Sequence, residues 1–379
     1  MRIGIDARFV GPQGTGLGKY AEKLIENLQK IDSKNKYSIF LKESNWNSLR
    51  LANKNFQKIL ADVSWYSLSE QLKMPNIYSK EKLDLLHVPH FNVPILYKGK
   101  FVVTIHDLIH QQFSQTSATT RNALAFQIKK IGYRKIIKHA VYKSQKIITP
   151  SKFVKEQVIK TFGLNPAKIT VTYEAAEEEY FQNGKSETKS QKPILLYVGN
   201  AYPHKNLEKL LDAFEIVLKF TFRQKTRSKR AIKNLKLILV CPRDVFWQKL
   251  NDQIKTRNLK SKVALFGYLD PKELTKLFKK ASAYISPSLS EGFGIPGLNA
   301  MASNIPLICS DIPTFSEIYG DASLYFDPVS AKDIAEKIKK LLTNTKTRSD
   351  LVKNGREQVK KYSWQKMAQQ TLQIYESCV

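Results

Sequence analysis

Hydrophobic positions fall in short runs separated by longer amphipathic stretches. That pattern belongs to strands alternating with helices around parallel sheets. In the first half, Arg2–Ile5, Tyr37–Leu41, Leu83–Val88, Phe101–Ile105 and Lys146–Thr149 are expected strands. Leu17–Ile31, Ser69–Ser79, Thr120–Tyr142 and Lys152–Phe162 are expected helices, the last with Ser151 as its N-cap. Residues 183–192 (NGKSETKSQK) are polar and read as a linker. The pattern then restarts with strands Ile194–Val198, Leu235–Val240, Val263–Phe266, Ala283–Ser286, Pro306–Cys309 and Ser323–Phe326. Helices Asn206–Lys219, Val245–Asn258, Lys272–Lys280 and one from Ile295 lie between them. The fold class expected is α/β, with an N-terminal unit over 1–182 and a C-terminal unit over 193–362. Ligands of such sheets bind beyond the carboxyl ends of the strands, so a cleft between two facing sheets is the expected site.

Composition narrows the class. The 379 residues suit two domains, and a hydrophobic share of 42% excludes a disordered chain. No apolar run approaches the ~20 residues of a membrane span, and Met1-Arg2 leads directly into a strand without a signal segment. A cytoplasmic protein, soluble or peripheral at the inner membrane face, is expected. Cys241, Cys309 and Cys378 form no C-x-x-C pair, and the first two lie in apolar runs, so neither a disulfide nor a zinc site is expected. The formal charge of +29 points to an anionic partner: nucleic acid, an acidic membrane surface or a polyanionic substrate. It equally suits a merely Lys-rich composition. Two tracts, Leu108–Lys155 and Lys219–Lys236, contain no Asp or Glu. The basic residues of the first are not confined to one helical stripe, whereas a membrane-surface helix segregates its faces. No nucleic-acid-binding motif is present.

Four segments carry candidate chemistry. Gly11–Lys19 (GPQGTGLGK) opens a helix after the first strand but matches neither Walker A nor G-x-G-x-x-G. It suits an anion at a helix N-terminus, or simply a flexible loop. In VVTIHDL, His106 and Asp107 stand at the carboxyl end of a strand, where such folds place working residues, although a lone His is as often structural. His87, His90, His106 and His110 are close in sequence but match no metal-binding spacing, so no metal is expected. In YVGNAYPHKN, Lys205 and a helix start near Asn206 could together face a diphosphate, or Lys205 could be a surface lysine. In ISPSLSEGFGIPGLNA a Gly-rich turn precedes a helix with Pro296 in its first turn, and its N–H groups could cradle phosphate oxygens. Glu291 there could cap the helix or hydrogen-bond sugar hydroxyls.

Together with TPSKF (Thr149–Phe153), LFGYL (Leu265–Leu269) and SEGFGIPGLNAMA, these segments resemble the family 4 retaining glycosyltransferases. The resemblance runs over essentially the whole chain. It implies a GT-B fold, two Rossmann-like domains facing across a cleft, with a C-terminal helix in 363–379 crossing back to the first domain. It implies a GDP- or UDP-linked sugar donor held mainly by the second domain. Lys205 would meet the diphosphate, flanked by His204 and Asn206; Gly292, Phe293 and Gly294 would offer backbone donors. Gly267 would admit the nucleobase, and Glu291 would bind donor-sugar hydroxyls. His106 would line the reaction centre, Gly16 would border the phosphates, and Asp107 and His90 are further candidates. The chain departs from the family where Asn299 stands at the second Glu of E-x7-E, which usually holds the ribose. His204 replaces a basic residue, and Tyr173-Glu174-Ala175-Ala176 replaces an N-G-V-D-like turn. The activity implied is retaining, metal-independent transfer of a mannose- or glucose-type hexose to a lipid-linked or glycan acceptor of the cell envelope. A non-catalytic nucleotide-sugar-binding or scaffold protein with a basic membrane-binding surface is the alternative.

Overall fold

The computed structural model describes residues 1–11, 15–109, 123–181, 193–220 and 234–379. The chain divides into two compact units, Met1–Glu174 with Ser363–Val379, and Ala175–Tyr362.

The first unit holds strands β1 (Arg2–Asp6), β2 (Lys36–Leu41), β3 (Phe56–Leu60), β4 (Leu85–Val88), β5 (Phe101–Thr104), β6 (Ile147–Thr149) and β7 (Ile169–Val171). They form one sheet in the order β3-β2-β1-β4-β5-β6-β7, and every neighbouring pair is parallel. Helices α1 (Thr15–Ile31), α2 (Leu68–Lys80), α3 (Ala123–Lys143) and α4 (Lys152–Phe162) connect them. β4 and β5 are buried at every position, as strands covered on both faces must be, and this is why they read as unbroken apolar runs. The Ser151 cap forms: its hydroxyl accepts the Val154 N–H at 3.2 Å. Sequence pattern passes over β3 and β7. The first is a half-exposed strand at one sheet edge and the second is only three residues long.

The second unit holds β8 (Ile194–Val198), β9 (Lys236–Val240), β10 (Val263–Phe266), β11 (Ala283–Ser286), β12 (Leu307–Ser310) and β13 (Ser323–Phe326), again all parallel, in the order β10-β9-β8-β11-β12-β13. Its helices are α5 (Leu207–Phe220), α6 (Val245–Thr256), α7 (Pro271–Lys280), α8 (Ile295–Ala302), α9 (Pro313–Tyr319), α10 (Ala331–Thr343) and α11 (Thr345–Val359). Leu210, Phe214 and Val217 of α5 share a core with Ile334, Ile338 and Leu341 of α10. Cys309 in β12 and Cys241 just after β9 are buried free thiols.

The boundary between the units lies at 174/175 rather than at the expected 182, and residues 183–192 fall outside the described residues. Packing explains the difference. Tyr180 is buried edge-on against Phe278, with ring centroids 4.9 Å apart, and the Glu177 N–H donates to Asn299 Oδ1 at 3.0 Å. Segment 175–180 therefore belongs to the second core despite its polar composition.

The last helix, α12 (Trp364–Glu376), returns to the first unit and packs along α1. The Tyr375 hydroxyl lies 2.6 Å from His87 Nδ1, and His87 Nε2 lies 2.9 Å from Thr104 Oγ1. Both ring nitrogens of this core histidine are thus engaged. Burial, with His106 adding to it, lowers the His87 pKa to about 3.

Candidate active site

In the second sheet the strand order reverses between β8 and β11, the crevice where doubly wound sheets take ligands. The loops leaving these two strands carry Lys205 and Glu291. After β8 the chain turns through a 3₁₀ segment, Pro203–Lys205, that ends at Asn206 in the left-handed region, φ 59°. Asn206 Nδ2 donates to the carbonyls of Pro287 at 3.1 Å and Pro328 at 2.8 Å, so its side chain braces this loop against two others. Buried His204 accepts the Leu289 N–H on its carbonyl at 2.8 Å.

That bracing brings Lys205 Nζ to 2.6 Å from Glu291 Oε1, each side chain 15% exposed. Ser288 Oγ donates to the same oxygen at 2.7 Å. Burial alone would raise the Glu291 pKa. The Lys205 ammonium, the Ser288 hydroxyl and nearby His204 outweigh it and hold the carboxyl below its ordinary range.

Glu291 leads into the Gly-rich turn. Gly294 has φ +108°, and a Cβ there would lie 2.2 Å from the Tyr319 hydroxyl, which donates to the Gly294 carbonyl at 2.6 Å. Only glycine meets both demands. Phe293 is buried, edge-on to Tyr362 with ring centroids 5.8 Å apart, and anchors the turn where α8 begins. Gly267 lies against Arg243, whose Nε would be 2.8 Å from an added Cβ. Asn299, on α8, is buried, and its Nδ2 lies 3.3 Å from Glu177 Oε1.

The first unit carries its own group. His106 follows β5, packs edge-on to Tyr20 at 4.8 Å, and places Nδ1 3.2 Å from Oε1 of buried Glu174. His106 Nε2 is buried without a hydrogen-bond partner among the described residues. Asp107 turns back on its own loop, accepting the Ile109 N–H at 2.9 Å. His90 packs against Phe91, Phe9 and Tyr66, with Nε2 3.4 Å from the Tyr66 hydroxyl. Gly16 is exposed at the start of α1 with nothing near its Cα, whereas a Cβ at Gly18 would meet the Phe9 carbonyl at 2.2 Å. His110 lies outside the described residues.

Residues 178–358 match the family model described as glycosyl transferases group 1, and residues 16–179 match that of glycosyltransferase family 4. The chain belongs to the group 1, family 4 glycosyltransferases. It is 27% identical to the O-antigen chain mannosyltransferase RfbU of Salmonella typhimurium over 370 residues, 95% of each chain. It is 27% identical to O-antigen chain mannosyltransferase B of Escherichia coli over 307 residues, 77% of this chain and 74% of that one. Among solved structures, sucrose-phosphate synthase of Thermosynechococcus elongatus superposes with a TM-score of 0.75 at 19% identity, covering 100% of this chain and 98% of the other. The fold is that of the GT-B glycosyltransferases.

Two of the glycosyltransferase's expected site residues, Lys205 and Glu291, thus meet directly, and His204, Asn206 and Gly292–Gly294 form their immediate setting. His106 and Asp107 follow one strand of the other sheet. Sequence reading missed Glu174, Glu177, Arg243 and Tyr319. Tyr173–Ala176 stood out only as a departure from the family turn. Arg243, in CPRD after β9, offered no signal beyond its place at a strand end.

Proposed function

We propose that this glycosyltransferase moves a mannose- or glucose-type hexosyl group from a GDP- or UDP-linked donor to a hydroxyl of a lipid-linked or glycan acceptor of the cell envelope. The reaction retains the anomeric configuration and uses no metal ion. The names borne by the Salmonella and E. coli relatives favour mannose. One observation carries the donor reading: Lys205 and the N-terminus of α8 lie on loops that leave the carboxyl side of the β8–β11 switch point, joined through Glu291.

In the proposed step the bond from the sugar C1 to the β-phosphate oxygen breaks and a bond from C1 to the acceptor oxygen forms. The acceptor's proton passes to an oxygen of the leaving diphosphate. Lys205 and the first N–H groups of α8 stabilise the charge that develops on that diphosphate. Glu291, ionised and already directed by Lys205 and Ser288, accepts hydrogen bonds from sugar hydroxyls. His106 Nε2 serves a substrate hydroxyl. The acceptor is reached from the inner face of the membrane, on which the basic protein rests peripherally.

The test is incubation with GDP-mannose, UDP-glucose and UDP-N-acetylglucosamine, with and without EDTA, followed by NMR of the product anomer. Transfer from GDP-mannose, unchanged by EDTA and with configuration kept, is expected. Absence of transfer or hydrolysis with every donor overturns the donor reading. Abolition by EDTA overturns metal independence, and an inverted product overturns retention.

A further inference from the structure

Leu68 and Leu72, one turn apart on α2, are 83% and 65% exposed, although the same helix buries Met74 and Tyr78. The Ile95 N–H donates to Gln71 Oε1 at 3.0 Å, which sets the loop bearing Ile95 and Leu96, also exposed, beside that helix. Single exposed leucines are ordinary; four on one face are not.

The surroundings are basic. Lys73, Lys98 and Lys100 are exposed on the same two elements. The loop reaches α3, where Phe91 meets Tyr133 edge-on at 4.9 Å and Lys98 lies close enough to His139 to help burial and Lys143 lower its pKa. α3 exposes Ile131, Arg134, Lys135 and Lys138. From Leu85 to Lys155 the sole acidic residue is Asp107, and Glu70 of α2 is buried on Arg8. Among the described residues no helix is long and apolar enough to cross a membrane.

We infer that the face of the first unit bearing Leu68, Leu72, Ile95 and Leu96 docks on an anionic lipid bilayer, the leucines entering the acyl boundary and the lysines meeting headgroups. Charge complementarity selects this occupant. A second copy meeting the face across a two-fold axis would set these lysines against their own counterparts. A nucleic acid would use the lysines and leave the leucines in water. Apolar insertion combined with basic attraction is how peripheral proteins hold to anionic membranes. The inference rests on the proposed peripheral reading but names its surface independently of the donor.

The experiment is flotation of the full chain with phosphatidylcholine vesicles and with vesicles containing phosphatidylglycerol, at low and high salt. It compares wild type with Leu68→Glu/Leu72→Glu and Lys98→Glu/Lys135→Glu. Melting temperature with and without GDP-mannose is followed in parallel, so folding and donor binding are read separately from docking. Wild type is expected to float with phosphatidylglycerol vesicles and not with phosphatidylcholine alone. Each double variant is expected to lower partitioning about tenfold with its melting curve unchanged. Wild type that stays unbound, or leucine variants that float as wild type does, would overturn the inference. So would a dimer in solution that the leucine variant abolishes.

Discussion

His106 Nδ1 lies 3.2 Å from the Glu174 carboxylate, while Nε2 is buried with no hydrogen-bond partner among the described residues. A carboxylate accepts and cannot donate, so it keeps the neutral ring's proton on Nδ1 and leaves Nε2 as an acceptor. Glu174 is therefore a positioning residue for His106. In Glu174→Ala, ring ¹⁵N shifts should show the Nε2–H tautomer gaining, and kcat should fall about tenfold with the donor KM little changed. Glu174→Gln keeps an acceptor and should restore most of both. An unchanged tautomer and kcat in Glu174→Ala would remove it from this role.

Lys205 and Glu291 should separate by kinetics. Lys205→Ala should cost about 2–4 kcal/mol of transition-state stabilisation, read from kcat/KM. It also strips Glu291 of the ammonium that offsets burial, so that carboxyl should titrate higher than in wild type. The sign follows from the lowered wild-type pKa: the pair's contribution to stability is present above the ordinary carboxylate pKa and is lost as pH falls through the folded value. Denaturant titrations of both proteins across the acidic range should show that loss in wild type and not in the variant.

His87 gives the first unit an acid sensitivity of its own. Its folded pKa of about 3 lies below the ordinary 6.5, so the unfolded chain binds the extra proton first. Stability from this group is complete above 6.5 and declines toward 3, by about 1.4 kcal/mol per pH unit. Denaturant midpoints measured over that window should drop less steeply in His87→Gln, which keeps a donor and an acceptor without titrating.

Asn299 is tied to Glu177 through both ends of its amide. Asn299→Glu would set two carboxylates side by side and remove a donor. It should loosen segment 175–180 from α8, seen as faster amide exchange there, and lower the melting temperature. Asn299→Ala should show the same change without the repulsion. Increased turnover in Asn299→Glu with exchange unaltered would mean the glutamate serves the donor and not the segment.

The strand runs and the two donor loops were legible in the chain because their causes are local. A buried parallel strand needs consecutive apolar residues, and the turn at Gly294 needs a residue that tolerates positive φ beside a helix start. Lys205, Glu291 and His106 were readable as candidates because each ends a strand. What each touches was not readable. Lys205 and Glu291 are 86 residues apart, His106 and Glu174 68, and Asn299 and Glu177 122. Only folding decides such pairings. The same holds for the unit boundary, which the packing of Tyr180 against Phe278 moved away from the polar stretch. It holds too for Leu68 and Leu72, apolar by sequence, which lie exposed because no other part of the fold covers that face of α2.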